Sequence, residues 1–216
     1  MRFTLLSTLL LLSIGIRAQQ YTDEPKKETE EVKSLFNKGN EITGFGNLDF
    51  RISSIKDTES LIIGAYGGVL INRSVMLGVA GYGISSNVEI EGLIPNTNTP
   101  SNLNIYGGYG GIVLGIMVAS KEVIHLSFPI ILAAGSLDIS DDNYFANISS
   151  DKSYVVESSK FFVIEPSALL ELNISKIFRI GLGGGYRFVR ALELENINDE
   201  DMSNFSGVLS FKFGGF

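Results

Sequence analysis

The sequence predicts an all-β protein: an eight-stranded antiparallel up-and-down transmembrane β-barrel. Apolar runs rich in glycine and aromatic residues follow one another along most of the chain. The links between these runs alternate between very short ones and long acidic ones, and an N-terminal apolar run has the form of an export signal. Barrels that span a membrane have short turns on one side and long loops on the other. The alternation of link lengths therefore favours such a barrel.

The N-terminus has the features of a cleaved signal peptide. Arg2 precedes the apolar run Phe3–Ile14, and the small residue Ala18 stands just before Gln19. A membrane anchor is the alternative, but the run is shorter than the roughly 20 apolar residues that a spanning helix needs. We therefore predict a signal peptide over residues 1–18, a flexible periplasmic leader over 19–41 and the barrel over 42–216.

Composition narrows the class of protein further. The chain has 24 Gly, 14 Phe and 8 Tyr but no Cys, so disulfides and thiolate metal sites are excluded. Beyond the signal, no run is long and uniformly apolar enough for a membrane helix, and a closed barrel is then the one way to cross a bilayer. The net charge of −7 argues against nucleic acid as a partner.

Eight candidate strands follow the leader. Their predicted bounds are Ile42–Lys56, Ser60–Ile71, Val75–Glu91, Leu103–Ala119, Val123–Leu137, Lys160–Ile174, Ile177–Leu192 and Phe205–Phe216. The links after the second, fourth and sixth strands are hairpin-sized. Those over residues 92–102, 138–159 and 193–204 are longer, and the short first link, 57–59, lies on their side. We expect the tight turns in the periplasm and the longer loops outside the cell.

Alternation with period two predicts which side chains face the lumen. In the sixth strand Glu165 and Glu171 lie on the face opposite an apolar row, and in the seventh Arg179 and Arg187 do so. The first, fifth and last strands add further polar residues. The predicted interior polar cluster is Asp49, Arg51, His125, Glu165, Glu171, Arg179, Arg187 and Lys212.

The expected pairing within this cluster follows from the turn between the sixth and seventh strands. Setting Leu172 opposite Phe178 places Glu171 opposite Arg179 and leaves Glu165 near Arg187. Closure of the barrel is expected to bring Asp49 near Lys212. An eight-stranded barrel has an interior only wide enough for side chains, so a plug of satisfied ion pairs is favoured over a proton or ion path. Glycines facing the lumen would make room for the long side chains.

Several motifs resemble those of small outer-membrane β-barrel proteins of double-membraned bacteria, of the eight-stranded OmpA/OmpX type. They are the signal peptide, Tyr66-Gly67-Gly68, Gly81-Tyr82-Gly83, the run 105–111, Ile164-Glu165-Pro166, Glu171-Leu172-Asn173, the run 183–187 and the ending 211–216. The resemblance implies an outer-membrane location, contact with its lipid and insertion by the assembly machinery. It also implies an insertion signal at Phe211, Phe213 and Phe216.

An enzyme is the first alternative function. His125-Leu126-Ser127 resembles the His-x-Ser pair of outer-membrane lipid A deacylases, and a His-activated Ser is a reasonable acyl-transfer nucleophile. The apolar alternation of this strand, however, directs both side chains into the lumen, away from lipid. They also lie beside a periplasmic turn, whereas such deacylases act from the outer leaflet. We therefore predict no enzyme, no catalytic residue and no cofactor.

Two further alternatives concern the loops and the barrel polarity. Asp138, Asp141 and Asp142, or residues 199–201, could supply oxygen ligands to calcium, but no glycine-punctuated calcium loop is present. Solvated loops that could meet an extracellular partner are favoured, with no metal. A soluble lipocalin-like barrel that binds a hydrophobic ligand requires the reverse facing, with apolar residues inside. A structural or surface-interaction role in the membrane remains the main prediction.

Overall fold

The computed structural model describes residues 41–85, 88–94, 99–141 and 154–216. The predicted signal peptide and all but the last residue of the predicted leader lie outside these ranges. Within these ranges the chain forms nine strands and one short helix. The strands are β1 Ile42–Ile55, β2 Thr58–Ile71, β3 Val75–Ile84, β4 Val88–Ile94, β5 Thr99–Val118, β6 Ile124–Asp141, β7 Tyr154–Asn173, β8 Phe178–Arg190 and β9 Asn204–Gly214, with helix α1 at Asp199–Met202.

Antiparallel pairing closes the strands into a ring. Each pairs with the next along the chain from β1 to β3 and from β5 to β9, while β3 pairs with β5 and β1 with β9. Strand β4 pairs with β5 beyond the end of β3, so β3 and β4 are successive parts of one barrel strand. The predicted eight-stranded up-and-down barrel is confirmed. No helix in the described part of the chain has the length and apolar character needed to cross a membrane.

The links divide between two ends of the barrel as predicted. One end, here the short-turn end, holds the links over residues 72–74, 119–123 and 174–177. The other, the long-loop end, holds those over 56–57 and 191–203, and β4 and β6 end there while β5 and β7 begin there. The expected loop over residues 92–102 is mostly wrong, because β4 and β5 continue their pairing as far as Ile94 and Thr99. Cross-strand pairing here overrides the loop preference of its Asn, Thr and Pro residues.

The outer surface of the barrel is apolar and the lumen holds the charges. On β7 Phe162 and Ile164 are 64% and 52% exposed, whereas Glu165, the residue after Ile164, is fully buried. On β8 Leu182 is 66% exposed while Arg187 is fully buried. This facing is the one predicted and the reverse of what a lipocalin-like barrel requires. Outer-membrane proteins cross their bilayer as closed barrels with an apolar outer band, and the chain is an integral barrel protein of that membrane.

Aromatic side chains cluster at both ends of the apolar band on β8 and β9. Near the short-turn end Phe178 stacks on Phe213 with ring centroids 4.8 Å apart. Near the long-loop end Tyr186 lies 4.5 Å from Phe188 and 4.7 Å from Phe205. About ten residues of β8 separate the two clusters, which at the usual strand rise and barrel tilt is about 25 Å. That height matches the apolar band of outer-membrane barrels, so Phe and Tyr form the girdles in a chain without Trp.

The lumen is more apolar than predicted. Part of it is a continuous apolar core that includes side chains from β2 to β6, and Val88, Ile90, Leu103 and Ile105 extend it toward the long-loop end. Side-chain alternation along the strands did not predict this apolar core beside the charged residues. The charged side chains come from β1 and β6 to β9, so the lumen has a charged part and an apolar part. Apolar burial removes much of the desolvation cost that a fully charged lumen would carry.

Two glycines of neighbouring strands provide a matched test of strand contact. A Cβ built on Gly183 would lie 2.0 Å from the carbonyl oxygen of Ala168, whereas one on Gly207 meets nothing within 4 Å. We expect Gly183→Ala to destabilise the barrel by about 1–3 kcal/mol, because the strands must move apart. Gly207→Ala should leave stability within about 0.5 kcal/mol. Urea unfolding of both variants checks this, and equal midpoints would contradict the close approach.

Candidate functional site: the charged lumen

Arg51 is the centre of a charged network at mid-height in the lumen. Its guanidinium lies 2.8 Å from the Asp49 carboxylate on the same strand and 2.9 Å from the Glu165 carboxylate on β7. All three side chains are fully buried. Strands β1 and β7 are separated by β9 and β8 on one side of the ring and by four strands on the other. Hence the Arg51–Glu165 pair crosses the lumen.

Two tyrosines join this network from the opposite wall. The Tyr82 hydroxyl donates to Asp49 at 2.9 Å, and the Tyr109 hydroxyl donates to Glu165 at 2.6 Å. Their rings stack with centroids 5.2 Å apart, and the Arg51 guanidinium lies 4.8 Å from the Tyr82 centroid. Sequence analysis missed both tyrosines. Their glycine-rich strands show no clear alternation of polar and apolar residues. Each tyrosine is, however, flanked by a glycine on both sides, and this is the signal that could have identified them.

A second charged group lies near the short-turn end, around Glu171. Its carboxylate pairs directly with Lys212 on β9 and lies 3.1 Å from His125 Nε2 on β6. Arg179 lies at 4.0 Å from the same carboxylate. One carboxylate is thus the shared partner of two permanent cations and an imidazole, and all of these groups are buried. The charge-assisted contact with Lys212 is the shortest of these.

Two sequence-based pairings are corrected by the strand register. Residue 171 stands opposite Gly181, and Arg179 opposite Asn173, so the β7–β8 register is shifted by two residues from the expected one. Glu165 pairs with Arg51 rather than with Arg187. Across the closing strands Asn47 stands opposite Lys212 and Asp49 opposite Ser210, so Asp49 and Lys212 are diagonal neighbours, although no ion pair within 4.0 Å joins them. The turn over 174–177 holds two residues more than the tight turn assumed.

Arg187 holds a helix against the long-loop end of the lumen. Its Nε donates to the carbonyl oxygen of Met202, the last residue of α1, at 2.8 Å. Further contacts run to Ser54 O at 3.4 Å and Ser53 Oγ at 3.5 Å. Met202 is buried in the apolar core of the lumen. The link over 191–203 therefore folds over the lumen, a closure that sequence reasoning did not find.

The acidic residues 199–201 form the first turn of α1. Asn198 Oδ1 accepts from the backbone N–H groups of Glu200 and Asp201 at 2.8 and 3.0 Å, and the Asp201 carboxylate accepts from Asn198 N at 3.0 Å. This reciprocal capping box, with carboxylates at a helix N-terminus, explains the acidic run without a metal. The described residues contain no group of three or more His, Cys, Asp or Glu side chains placed to hold a metal ion.

His125 and Ser127 are not arranged as a nucleophile and its base. Both are buried in the lumen, and the contact of His125 Nε2 is with Glu171. Ser127 Oγ instead lies 3.5 Å from Lys212 Nζ. A nucleophile must have its base within hydrogen-bond reach and an approach for its substrate. This arrangement offers neither to a lipid acyl chain.

The three C-terminal phenylalanines take two different positions. Phe211 and Phe213 belong to β9 and are in the aromatic group on the outer face near the short-turn end. Phe216 follows the strand, and its ring lies 3.8 Å from the Arg179 guanidinium at the short-turn mouth of the lumen. Two of the three rings therefore face lipid and one covers the lumen. Their part in insertion stays a prediction.

Solved structures of outer-membrane barrels are similar to this chain at low sequence identity. The N-terminal β-barrel domain of OprF from Pseudomonas aeruginosa has 11% identity and a TM-score of 0.49, covering 80% of this chain and 96% of that one. Neisserial surface protein A has 9% identity and a TM-score of 0.45, covering 82% and 98%. OprG of Pseudomonas aeruginosa has 11% and 0.41, covering 80% and 93%.

No family model matches the sequence, and no curated protein matches it. The fold assignment rests on the strand pairing and the facing of side chains in this chain itself.

Proposed function

We propose that this protein is a closed outer-membrane barrel with a structural or surface-interaction role, whose lumen is plugged by ion pairs and conducts no ions. The supporting observation is the network of Arg51, Asp49 and Glu165, which crosses the lumen with Tyr82 and Tyr109 against it. Helix α1, held by Arg187, adds a second obstruction at the long-loop end. We expect such buried, mutually paired groups to obstruct the passage of water and ions through the lumen.

The long-loop end supports the surface-interaction part of the proposal. The Asn196 side chain donates to and accepts from the Leu93 backbone, both at 3.0 Å, and contacts the Glu157 carboxylate. Glu157 also accepts from Glu195 N at 2.7 Å. These bonds join β4, β7 and the link before α1 into one ordered surface with exposed acidic groups. An extracellular partner with a basic face is the type that such a surface would attract.

The remaining partners follow from the barrel itself. Outer-membrane lipid would contact the apolar band, and the assembly machinery of that membrane would insert the chain. The acidic loops disfavour nucleic acid. A lipid-modifying enzyme using His125 and Ser127 is the weaker alternative, because Ser127 is fully buried and His125 is engaged by Glu171.

Conductance in planar lipid bilayers tests the plug. We expect the reconstituted protein to give no stable conductance steps at applied potentials at which a large general porin, used as the positive control, conducts. Successful folding is verified on the same sample by the shift in gel migration on boiling. Long-lived steps of constant amplitude from heat-modifiable protein would refute a closed lumen.

A further inference from the structure

The short-turn mouth of the lumen is a basic cavity of about 310 Å³. Four cationic side chains line it: Arg73, Lys121, Lys176 and Arg179. The aromatic ring of Phe216 and the polar residue Ser120 also line the cavity. Arg73 is paired with Glu41 at 2.7 Å, which leaves three cations to account for.

Charge balance near this mouth is incomplete. Among the described residues no carboxylate lies within 4.0 Å of Lys121 or Lys176. Arg179 lies 4.0 Å from the Glu171 carboxylate, and this carboxylate contacts Lys212 more closely. In the described part of the lumen as a whole, three buried carboxylates face four buried permanent cations. Since Lys212 and Arg179 share the single carboxylate of Glu171, one buried cation in excess adjoins the cavity.

Arg179 is the buried residue of this site, and neighbouring groups fix its position. Its side chain is about 2% exposed, held by a bond to Ser120 O at 3.1 Å and covered by the Phe216 ring. Its Nε has no hydrogen-bond partner within the described residues. A buried guanidinium with an unused donor costs stability unless something accepts from it. The guanidinium also lines the cavity, so an anion bound there would offset its positive charge at short range.

We propose that the short-turn mouth binds a phosphate group, contacted by Arg179 at its inner end and by Lys121 and Lys176 at its rim. A phosphate offers several acceptor oxygens and more than one negative charge, which suits converging guanidinium and ammonium donors. The group could belong to a free phosphate or to the headgroup of an anionic phospholipid in the adjoining leaflet. The proposal goes beyond a closed structural barrel and does not depend on it.

The test uses the mature chain folded in a neutral detergent, with inorganic phosphate as the titrant in isothermal titration calorimetry. The variant Lys121→Gln with Lys176→Gln removes two exposed rim charges without touching the buried network. Its matched control, Lys160→Gln with Arg190→Gln, removes two exposed charges at β7 and β8 positions outside the mouth. We expect one phosphate per wild-type or control chain, and affinity at least about tenfold weaker in the rim variant.

A second arm distinguishes the two sources of phosphate. The same proteins are placed in nanodiscs of phosphatidylcholine with or without phosphatidylglycerol, and retained lipid is counted by native mass spectrometry. Retention of phosphatidylglycerol by wild type and control but not by the rim variant, without binding of inorganic phosphate, assigns the site to lipid. Calorimetric binding assigns it to the free anion. Absence of both, or equal binding by the rim variant, overturns the proposal.

Discussion

Arg51→Met is expected to destabilise the barrel by about 3–5 kcal/mol, the largest loss for any single change we consider. The substitution keeps most of the side-chain volume but leaves Asp49 and Glu165 buried without their shared cation. Two uncompensated carboxylates at mid-height must then be protonated or solvated at the expense of folding. The measurement is urea unfolding of the detergent-folded protein, followed by the boiling-dependent gel shift because the chain has no Trp.

Two companion variants make that experiment decisive. Arg190→Met, at an exposed position near the end of β8, removes the same charge from the surface and should cost less than about 1 kcal/mol. Adding Asp49→Asn and Glu165→Gln to Arg51→Met removes the charges left unpaired and should recover part of the loss. If Arg51→Met unfolds at the same urea concentration as Arg190→Met, Arg51 does not balance the lumen carboxylates.

Glu171→Ala is expected to have the second-largest effect, again about 3–5 kcal/mol. Removal of this carboxylate leaves Lys212, Arg179 and His125 buried together without an anion. The double variant with Lys212→Met should be more stable than Glu171→Ala alone, since the closest unpaired cation is also gone. Double-mutant cycles from the same urea unfolding experiment give the coupling energy of each pair.

The geometry predicts which partner couples more strongly. Lys212 contacts Glu171 directly, whereas Arg179 lies at 4.0 Å and has its own bond to Ser120 O. The Glu171–Lys212 coupling should therefore exceed the Glu171–Arg179 coupling obtained with Arg179→Met. The reverse order would indicate that Arg179 is the main counter-charge, as the sequence-based register implied.

A structural difference between the two charged groups bears on function. In the Arg51 group each of the two carboxylates contacts the one guanidinium and also accepts a hydrogen bond from a tyrosine hydroxyl within the lumen. The Glu171 group has more cations than its carboxylate balances and adjoins the basic mouth. In the function proposed above, the first group closes the lumen, and the second adjoins the anion site proposed at the short-turn end.

Local patterns in the sequence were enough for the strand count, the facing of β7 and β8 and the two classes of link. Side chains alternate across a strand with period two, so facing can be read within one segment. Link length is equally local. The predicted loop over residues 92–102 was mostly wrong because β4 and β5 pair with each other there. The composition of a segment does not reveal whether a neighbouring strand will supply partners for its backbone hydrogen bonds.

The sequence by itself determined that Glu165, Glu171, Arg179 and Arg187 face the lumen, because alternation needs no knowledge of other strands. Only the tertiary structure decided that Arg51 forms an ion pair with Glu165 and Lys212 with Glu171. A two-residue change in one turn shifts the register of a strand pair while every side chain keeps its face. Long side chains then reach across the lumen to strands that are not their neighbours in the sheet. Partner choice thus depends on the stagger of the whole closed barrel, which no single segment encodes.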